Sequence, residues 1–317
     1  MKGPAETVEV GRSARAPAGP RGRLRLLLET VRFPHTLFAL PFAALAAVWA
    51  ARGVPPPLET ALLLVAMVAA RTAAMAFNRV VDARFDAANP RTRERAIPAG
   101  RLSQGSVAVL AAGGAAVFIA AAAAFYPLRA NPWPAWLCGP FLAVLLGYSY
   151  TKRFTALSHY VLGLALGLSP VGVWIALTGR LDWPPLALAF AVMAWTAGFD
   201  ILYSLQDVRH DRELGLHSIA ARLGAGKALM VARLNHAAMV LTLLAMYGFA
   251  ARGAPPADPR RLGAWYLAGL ALLAALLVYE HTLIRANDLR RLDAAFFTVN
   301  AVGSVVFAAF GILDVFL

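Results

Sequence analysis

Nine apolar runs of about twenty residues divide this chain, and no other feature narrows its possible folds so far. A helix needs roughly 20 apolar residues to cross a bilayer core. Only helices and closed barrels satisfy every backbone N–H and C=O without water. The runs lie near residues 34–52, 58–77, 105–126, 133–150, 157–178, 184–206, 227–250, 263–284 and 294–316. Pro, Gly and Arg cluster in most of the connections, as in Arg52-Gly-Val-Pro-Pro-Pro57 and Arg252-Gly-Ala-Pro-Pro256, and mark breaks. Hydrophobic residues make up 60% of the sequence and charged residues 15%, whereas a soluble domain is about 45–50% apolar. The expected fold is an all-α integral membrane protein with about nine transmembrane helices.

A net charge of +13 raises the question of nucleic acid, but the basic residues are scattered between apolar runs and form no single stripe, so no nucleic-acid partner is expected. Their distribution sets an orientation instead. The N-terminal arm, segment 79–101, Lys152 with Arg153, segment 209–227, and Arg285, Arg290 and Arg291 fall on one side of the bilayer. The other side holds Arg52, Arg129, Arg180, Arg252, Arg260 and Arg261. The positive-inside rule therefore predicts a protein of the inner (cytoplasmic) membrane with its N-terminus in the cytoplasm and its C-terminus outside. Residues 1–24, rich in Gly, Pro, Ala and Arg, read as a flexible basic arm near anionic lipid headgroups, and residues 25–317 as one transmembrane domain. The single cysteine, Cys138, lies in an apolar run and can form no intramolecular disulfide.

Two acidic motifs carry the chemistry. The first, Asn78-Arg-Val-Val-Asp82-Ala-Arg-Phe-Asp86, follows the second run and spaces an amide and two carboxylates at intervals of four, on one face of a continuous helix. Like charges at that spacing repel, which suggests a bound cation. Arg71, inside the run, falls on the same face and is a candidate ligand-binding charge. The second motif, Asp200-Ile-Leu-Tyr203-Ser-Leu-Gln-Asp207-Val-Arg-His-Asp211, closes the sixth run with its own one-faced aspartates. Two such ends on one side of the membrane can face each other across Mg²⁺, which is usually held by a few carboxylates together with substrate phosphates. A basic loop follows each motif: Asn89-Pro-Arg91-Thr-Arg93-Glu-Arg95-Ala-Ile-Pro-Ala-Gly-Arg101 after the first and Arg212-Glu-Leu-Gly215-Leu-His-Ser218 after the second. Arginine forks can hold phosphate oxygens, and Arg84, Arg93 and Arg95 are the candidate contacts. Aspartates solvated in loops and paired with nearby arginines are the plainer alternative.

This pattern resembles the paired signatures of the UbiA superfamily of intramembrane prenyltransferases. The resemblance extends from Arg32 to the C-terminus and includes Tyr148-Ser-Tyr-Thr-Lys152, which fits the family's Tyr-x-x-x-Lys element, and Gly215-x-x-Ser218. It implies nine helices around a central cavity that opens laterally to lipid. It also implies Mg²⁺-dependent transfer of a polyprenyl chain from a polyprenyl diphosphate to a small aromatic carboxylic acid. On this resemblance Asn78, Asp82, Asp86, Asp207 and Asp211 would hold the metal, the four aspartates and Lys152 would be catalytic, and Tyr148, Asp200 and Tyr203 would line the substrate site.

The acceptor would be 4-hydroxybenzoate or a dihydroxynaphthoate, in ubiquinone or menaquinone biosynthesis. Arg32 and His35, in Arg32-Phe-Pro-His35 at the start of the first run, are the candidate carboxylate contacts. The segments Tyr150-Thr-Lys-Arg-Phe-Thr-Ala-Leu-Ser-His159 and Ala295-Phe-Phe-Thr-Val-Asn300 look more like a branch linked to menaquinone formation. His159, His217 and His281 have no metal-ligand spacing and read as packed or interfacial residues. A transporter or cation channel is the rival class, but such proteins bind at the bilayer midplane on broken helices within repeats, whereas both motifs here sit at helix ends.

Overall fold

A computed structural model describes residues 38–253 and 262–317, together with Gly22, Leu26, Leu27 and Thr30. Most of the basic arm, the candidate acceptor contacts Arg32 and His35, and the start of the first run lie outside the described residues. The helices are α1 (Leu40–Ala51), α2 (Pro57–Val81), α3 (Ala83–Ala88), α4 (Gln104–Ala123), α5 (Phe125–Arg129), α6 (Trp133–Thr151), α7 (Ser158–Thr178), α8 (Trp183–Ser204), α9 (Val208–Glu213), α10 (Ile219–Leu223), α11 (Ala225–Gly253), α12 (Ala264–Leu283) and α13 (Asn300–Phe316). Among the described residues seven helical segments are long and apolar enough to cross a membrane. The other two expected spans are helical as well. The first is described as the twelve residues of α1, and the fourth, α6, is made less apolar by its Trp, Tyr and Pro residues. Lipid-facing positions such as Leu241, Phe249 and Val278 are more than 60% exposed, as a bilayer-embedded surface allows.

Local sequence sets the helix ends. Pro57 occupies the first turn of α2, where a missing N–H costs nothing. Ser103 caps α4 by accepting from the Ser106 N–H at 3.1 Å. Gly179 ends α7 at φ +71°, a left-handed cap that suits a residue without Cβ.

Small residues then bring the helices together. At Gly167 of α7 an added Cβ would lie 2.5 Å from the Ala189 carbonyl of α8, and at Gly163 it would run into the Met193 carbonyl. Gly114 lets α4 approach the α2 backbone at Ala69 and Ala73 in the same way. Close backbone approach is how apolar helices gain packing energy in lipid, where burial from water contributes little. Beside these contacts Phe42 of α1, Trp195 and Phe199 of α8, Met239 and Leu243 of α11, Tyr266 of α12 and Phe307 of α13 form the main buried core.

Both motif helices break where continuity was expected. Chain regularity stops at Asp82 (φ −91°, ψ 2°), which joins α2 to α3. A 3₁₀ turn, Leu205–Asp207, separates α8 from α9, and Asp207 has φ −104° and ψ 4°. Across the first junction the Asp82 N–H still donates to Asn78 O at 2.9 Å and the Asp86 N–H to Asp82 O at 2.8 Å, so Asn78, Asp82 and Asp86 keep their i, i+4 relation, whereas the second motif passes through the 3₁₀ turn.

Candidate active site at the joined helix ends

The two motifs meet through the loop after α3. Asn89 and Arg91, from that loop, reach the second motif. Asn89 Nδ2 donates to Asp207 Oδ1 at 3.1 Å, while Arg91 donates through Nε to Oδ1 at 3.1 Å and through Nη2 to Oδ2 at 2.7 Å. Asn89 Oδ1 in turn accepts the Arg91 N–H at 2.9 Å, so an Asx turn presents the arginine. Arg91 Nη1 also donates to the Tyr203 hydroxyl at 3.3 Å, with the guanidinium 5.4 Å from that ring's centre.

Three of the four remaining carboxylates of the motifs also meet a cation. Arg95 Nη1 donates to both oxygens of the buried Asp86, at 2.6 and 2.8 Å. Asp82 Oδ2 accepts from Asn78 Nδ2 at 2.7 Å, and its Oδ1 lies 3.4 Å from Arg153 Nη2. Arg153 is held between the faces of Phe85 and Tyr150, 4.9 Å from each. Burial and then the neighbouring Asp86 carboxylate raise the Asp82 pKa above its ordinary value, against the lowering effect of Arg153 and Asn78. Lys152 Nζ lies 2.9 Å from Asp211 Oδ1, and its carbonyl accepts the His217 N–H at 2.7 Å. Gly215, at φ +64°, makes the turn before Ser218 caps α10, giving the Gly-x-x-Ser element a local structural purpose.

Asp200 is set by His159, a residue read from sequence as packed or interfacial. His159 Nδ1 lies 2.6 Å from Asp200 Oδ2, and His159 Nε2 accepts the Ile219 N–H at 3.3 Å. With Nε2 accepting, the proton belongs on Nδ1, which donates to the carboxylate. Buried His159 thus links α7, α8 and α10 at the site.

An apolar cavity of about 200 Å³ lies between α2, α4, α6 and α7, with Arg71 and Tyr148 in its lining. Met67, Arg71, Ala74 and Met75 line it from α2, on the face that leads to Asn78; Phe141, Leu145 and Tyr148 line it from α6, on the face that leads to Lys152. Arg71 and Tyr148 therefore stand where the apolar space meets the charged one. From Tyr148 the lining continues down α6 to Pro134, about 21 Å at 1.5 Å per residue. A further pocket of about 240 Å³ on the charged side brings Arg79, Arg91, Arg95 and Arg101 together with Glu94 and apolar residues such as Leu26 and Ile97. Arg84 and Arg93, expected at the aspartates, are exposed, and Arg93 approaches its neighbour Glu94 at 4.0 Å.

Among the described residues no group of three or more His, Cys, Asp or Glu side chains is gathered closely enough to hold a metal by itself. Four separate carboxylates, each matched by a cation, suit a metal that arrives with an anionic substrate. Mg²⁺ is commonly bound that way, through one or two carboxylates and phosphate oxygens. Asp211 Oδ2 is buried without a hydrogen-bond partner, a free acceptor of the hard oxygen type such an ion takes.

A sequence model of the UbiA prenyltransferase family matches residues 39–302. The chain belongs to that family. Among relatives of this UbiA-family protein, the 4-hydroxybenzoate octaprenyltransferase of Aromatoleum aromaticum is 32% identical over 298 residues, covering 93% of this chain and 96% of the relative. The enzyme of the same name from Ralstonia nicotianae is 30% identical over 288 residues, covering 90% and 94%. The apo structure of a UbiA homologue from Aeropyrum pernix superposes with a TM-score of 0.75 at 32% identity, covering 88% of this chain and 98% of that one. A homologue from Archaeoglobus fulgidus, bound to GPP and Mg²⁺, shares the fold with a TM-score of 0.68 at 17% identity, covering 92% and 100%.

In this UbiA-family protein, Asn89, Arg91, Arg153 and His159 join the site without having been singled out in sequence. Asn89 had a usable signal, since Asn-Pro marks a turn that can present a side chain. Arg91 and Arg93 are both loop arginines, and only the fold of that turn distinguishes them. His159 has no local signal, because its partner Asp200 lies on another helix.

Proposed function

We propose that this protein transfers a polyprenyl chain from a polyprenyl diphosphate to 4-hydroxybenzoate or a closely similar aromatic acid, with release of diphosphate. One observation carries the reading: the faces of α2 and α6 that line an apolar cavity through Arg71, Met75 and Tyr148 run on, within one or two turns, to Asn78, Asp82 and Lys152 among four cation-matched aspartates, so a charged head group and a hydrocarbon tail each have a matching environment. The names of the relatives supply the acceptor, and the GPP and Mg²⁺ of the Archaeoglobus fulgidus homologue supply the donor class and metal.

Mg²⁺, when bound, supplies positive charge that links the aspartates to the diphosphate and favours its departure. Asp82, Asp86, Asp207 and Asp211 are the proposed ligands, with Asn78 beside Asp82. Arg91, Arg95, Arg153 and Lys152, which pair with these carboxylates, can turn to phosphate oxygens, so the site stays charge-balanced as the substrate enters. Arg71 and Tyr148 stand at the allylic end of the chain, where the bond to the diphosphate breaks. Ala, Leu, Met and Phe side chains exclude water from the cation that forms there. Asp200, oriented by His159, and Tyr203 face the same layer. Arg32 and His35 remain the proposed contacts for the acceptor carboxylate. The excess of Lys and Arg at the motif end supports a cytoplasmic active site in the inner membrane.

The test is incubation of the purified protein with Mg²⁺, GPP or a longer diphosphate, and a panel of aromatic acids, with product mass as the readout. Prenylated 4-hydroxybenzoate is expected, and its formation should stop with a chelator and in Asp82→Ala and Asp207→Ala. Full activity in both variants would remove the aspartates from the site, and no product from any pair would sink the reading.

A further inference from the structure

Residues Ala294–Val299 form a single π-helical turn that leads into Asn300, the first residue of α13. Such turns shift carbonyls away from their usual partners and recur at functional sites. Here one buried side chain collects two of these carbonyls: Asn300 Nδ2 donates to Ala295 O at 3.1 Å and to Phe296 O at 3.2 Å. The amide can point only one way. Trp195 Nε1 is solely a donor and gives its hydrogen to Asn300 Oδ1 at 2.6 Å, leaving Nδ2 for the carbonyls and for Glu280 Oε1 at 2.9 Å. Asn300 is 1% exposed and Glu280 is fully buried, so water offers neither a substitute.

The turn fixes Phe296, and Phe296 touches the site. Its ring stacks on Tyr203 with centroids 4.1 Å apart and planes 29° from parallel, while Phe297 meets Tyr203 edge-on. Tyr203 in turn takes a hydrogen bond from Arg91 and lies beneath its guanidinium, and Arg91 grips Asp207. We propose that Asn300, oriented by Trp195 and Glu280, is a positioning residue for the diphosphate end of the site: it holds the π turn that sets Phe296 against Tyr203, and Tyr203 sets Arg91 on Asp207. This rests on the prenyl-transfer reading above.

The experiment compares wild type, Asn300→Ala, Phe296→Leu and the double variant in detergent. Binding of GPP with Mg²⁺ is measured by calorimetry, and kcat and KM for transfer to 4-hydroxybenzoate are measured separately. Asn300→Ala should weaken GPP binding and lower kcat by about tenfold each, with the acceptor KM changed less than twofold. The double variant should be no worse than the more damaging single variant, because both act through one ring. Trp195→Phe, which removes the indole donor and keeps an aromatic side chain, should give the same split to a smaller degree, and it answers the question if Asn300→Ala does not fold. Fully additive losses, or a lowered melting temperature with GPP binding and kcat intact, would overturn the proposal. Wild type that binds no GPP with Mg²⁺ overturns the prenyl-transfer reading and this inference with it; wild-type binding left unchanged by Asn300→Ala and Trp195→Phe overturns this inference alone.

Discussion

Asp82 and Asp207 occupy matching breaks in two different helices: each has ψ near zero, with φ of −91° and −104°, at the junction between a long helix and a short one. This sparsely populated backbone region is common among active-site residues. Past each junction the short helix, α3 or α9, carries an aspartate, Asp86 or Asp211, that meets a cation from another segment. The arginine loop between them closes the arrangement by carrying Arg91 from the first motif to Asp207 of the second.

Arginines two residues apart in that loop should behave differently. Arg91→Lys loses the two-pronged grip on Asp207, and lysine cannot reproduce it. Its KM for a polyprenyl diphosphate should rise at least tenfold, whereas Arg93→Ala, altering an exposed side chain, should change it less than threefold. Steady-state kinetics on the two variants decides the point.

Acid should weaken the metal site at Asp82 earlier than at a free carboxylate. Burial and the Asp86 charge hold the Asp82 proton to a higher pH than its ordinary pKa of 3.8, and Mg²⁺ has to displace that proton. Affinity for Mg²⁺ should therefore fall as pH drops through the raised value. In the metal-free protein the sign is opposite for stability: the folded state binds this proton more tightly than the unfolded state, so the contribution of Asp82 declines as pH rises through the same window. Asp86→Asn removes the repulsion and should move the acid limb of Mg²⁺ binding to lower pH, as titration calorimetry at several pH values would reveal.

Filling the cavity should discriminate among donors. Ala74 lines it from α2 one turn from Arg71, and Ala74→Phe would put a ring where the first isoprene units are proposed to lie. Transfer from GPP should fall by at least tenfold, while binding of Mg²⁺ with inorganic diphosphate stays within twofold. Equal losses for both ligands would place the hydrocarbon elsewhere.

Gly167 controls helix separation and stands apart from the charged layer. Gly167→Ala forces the new methyl against the Ala189 carbonyl, a backbone atom that cannot rotate away. Overpacking of this kind destabilises by about 1–3 kcal/mol. A lower melting temperature in detergent is expected, and an unchanged one would show that α7 and α8 separate at little energetic cost.

The apolar runs, the two acidic motifs and the Tyr148 to Lys152 element are legible in the sequence because each is a local property: run length, spacing and residue type suffice. Composition alone excludes a soluble fold, for lipid leaves the backbone no partner but itself. The tertiary structure decides which cation meets which aspartate. Arg91 and Arg93 look alike in sequence, yet an Asx turn at Asn89 delivers only the first to Asp207. His159 meets Asp200, and Asn300 meets Trp195 and Glu280, across helices whose relative placement depends on glycine-mediated packing. Helix periodicity predicts that Asn78 and Asp82 share a face, as the 2.7 Å bond between them requires, but it predicts neither the 3₁₀ turn Leu205–Asp207 nor the segment that supplies each cation, because those depend on contacts between helices distant in the chain.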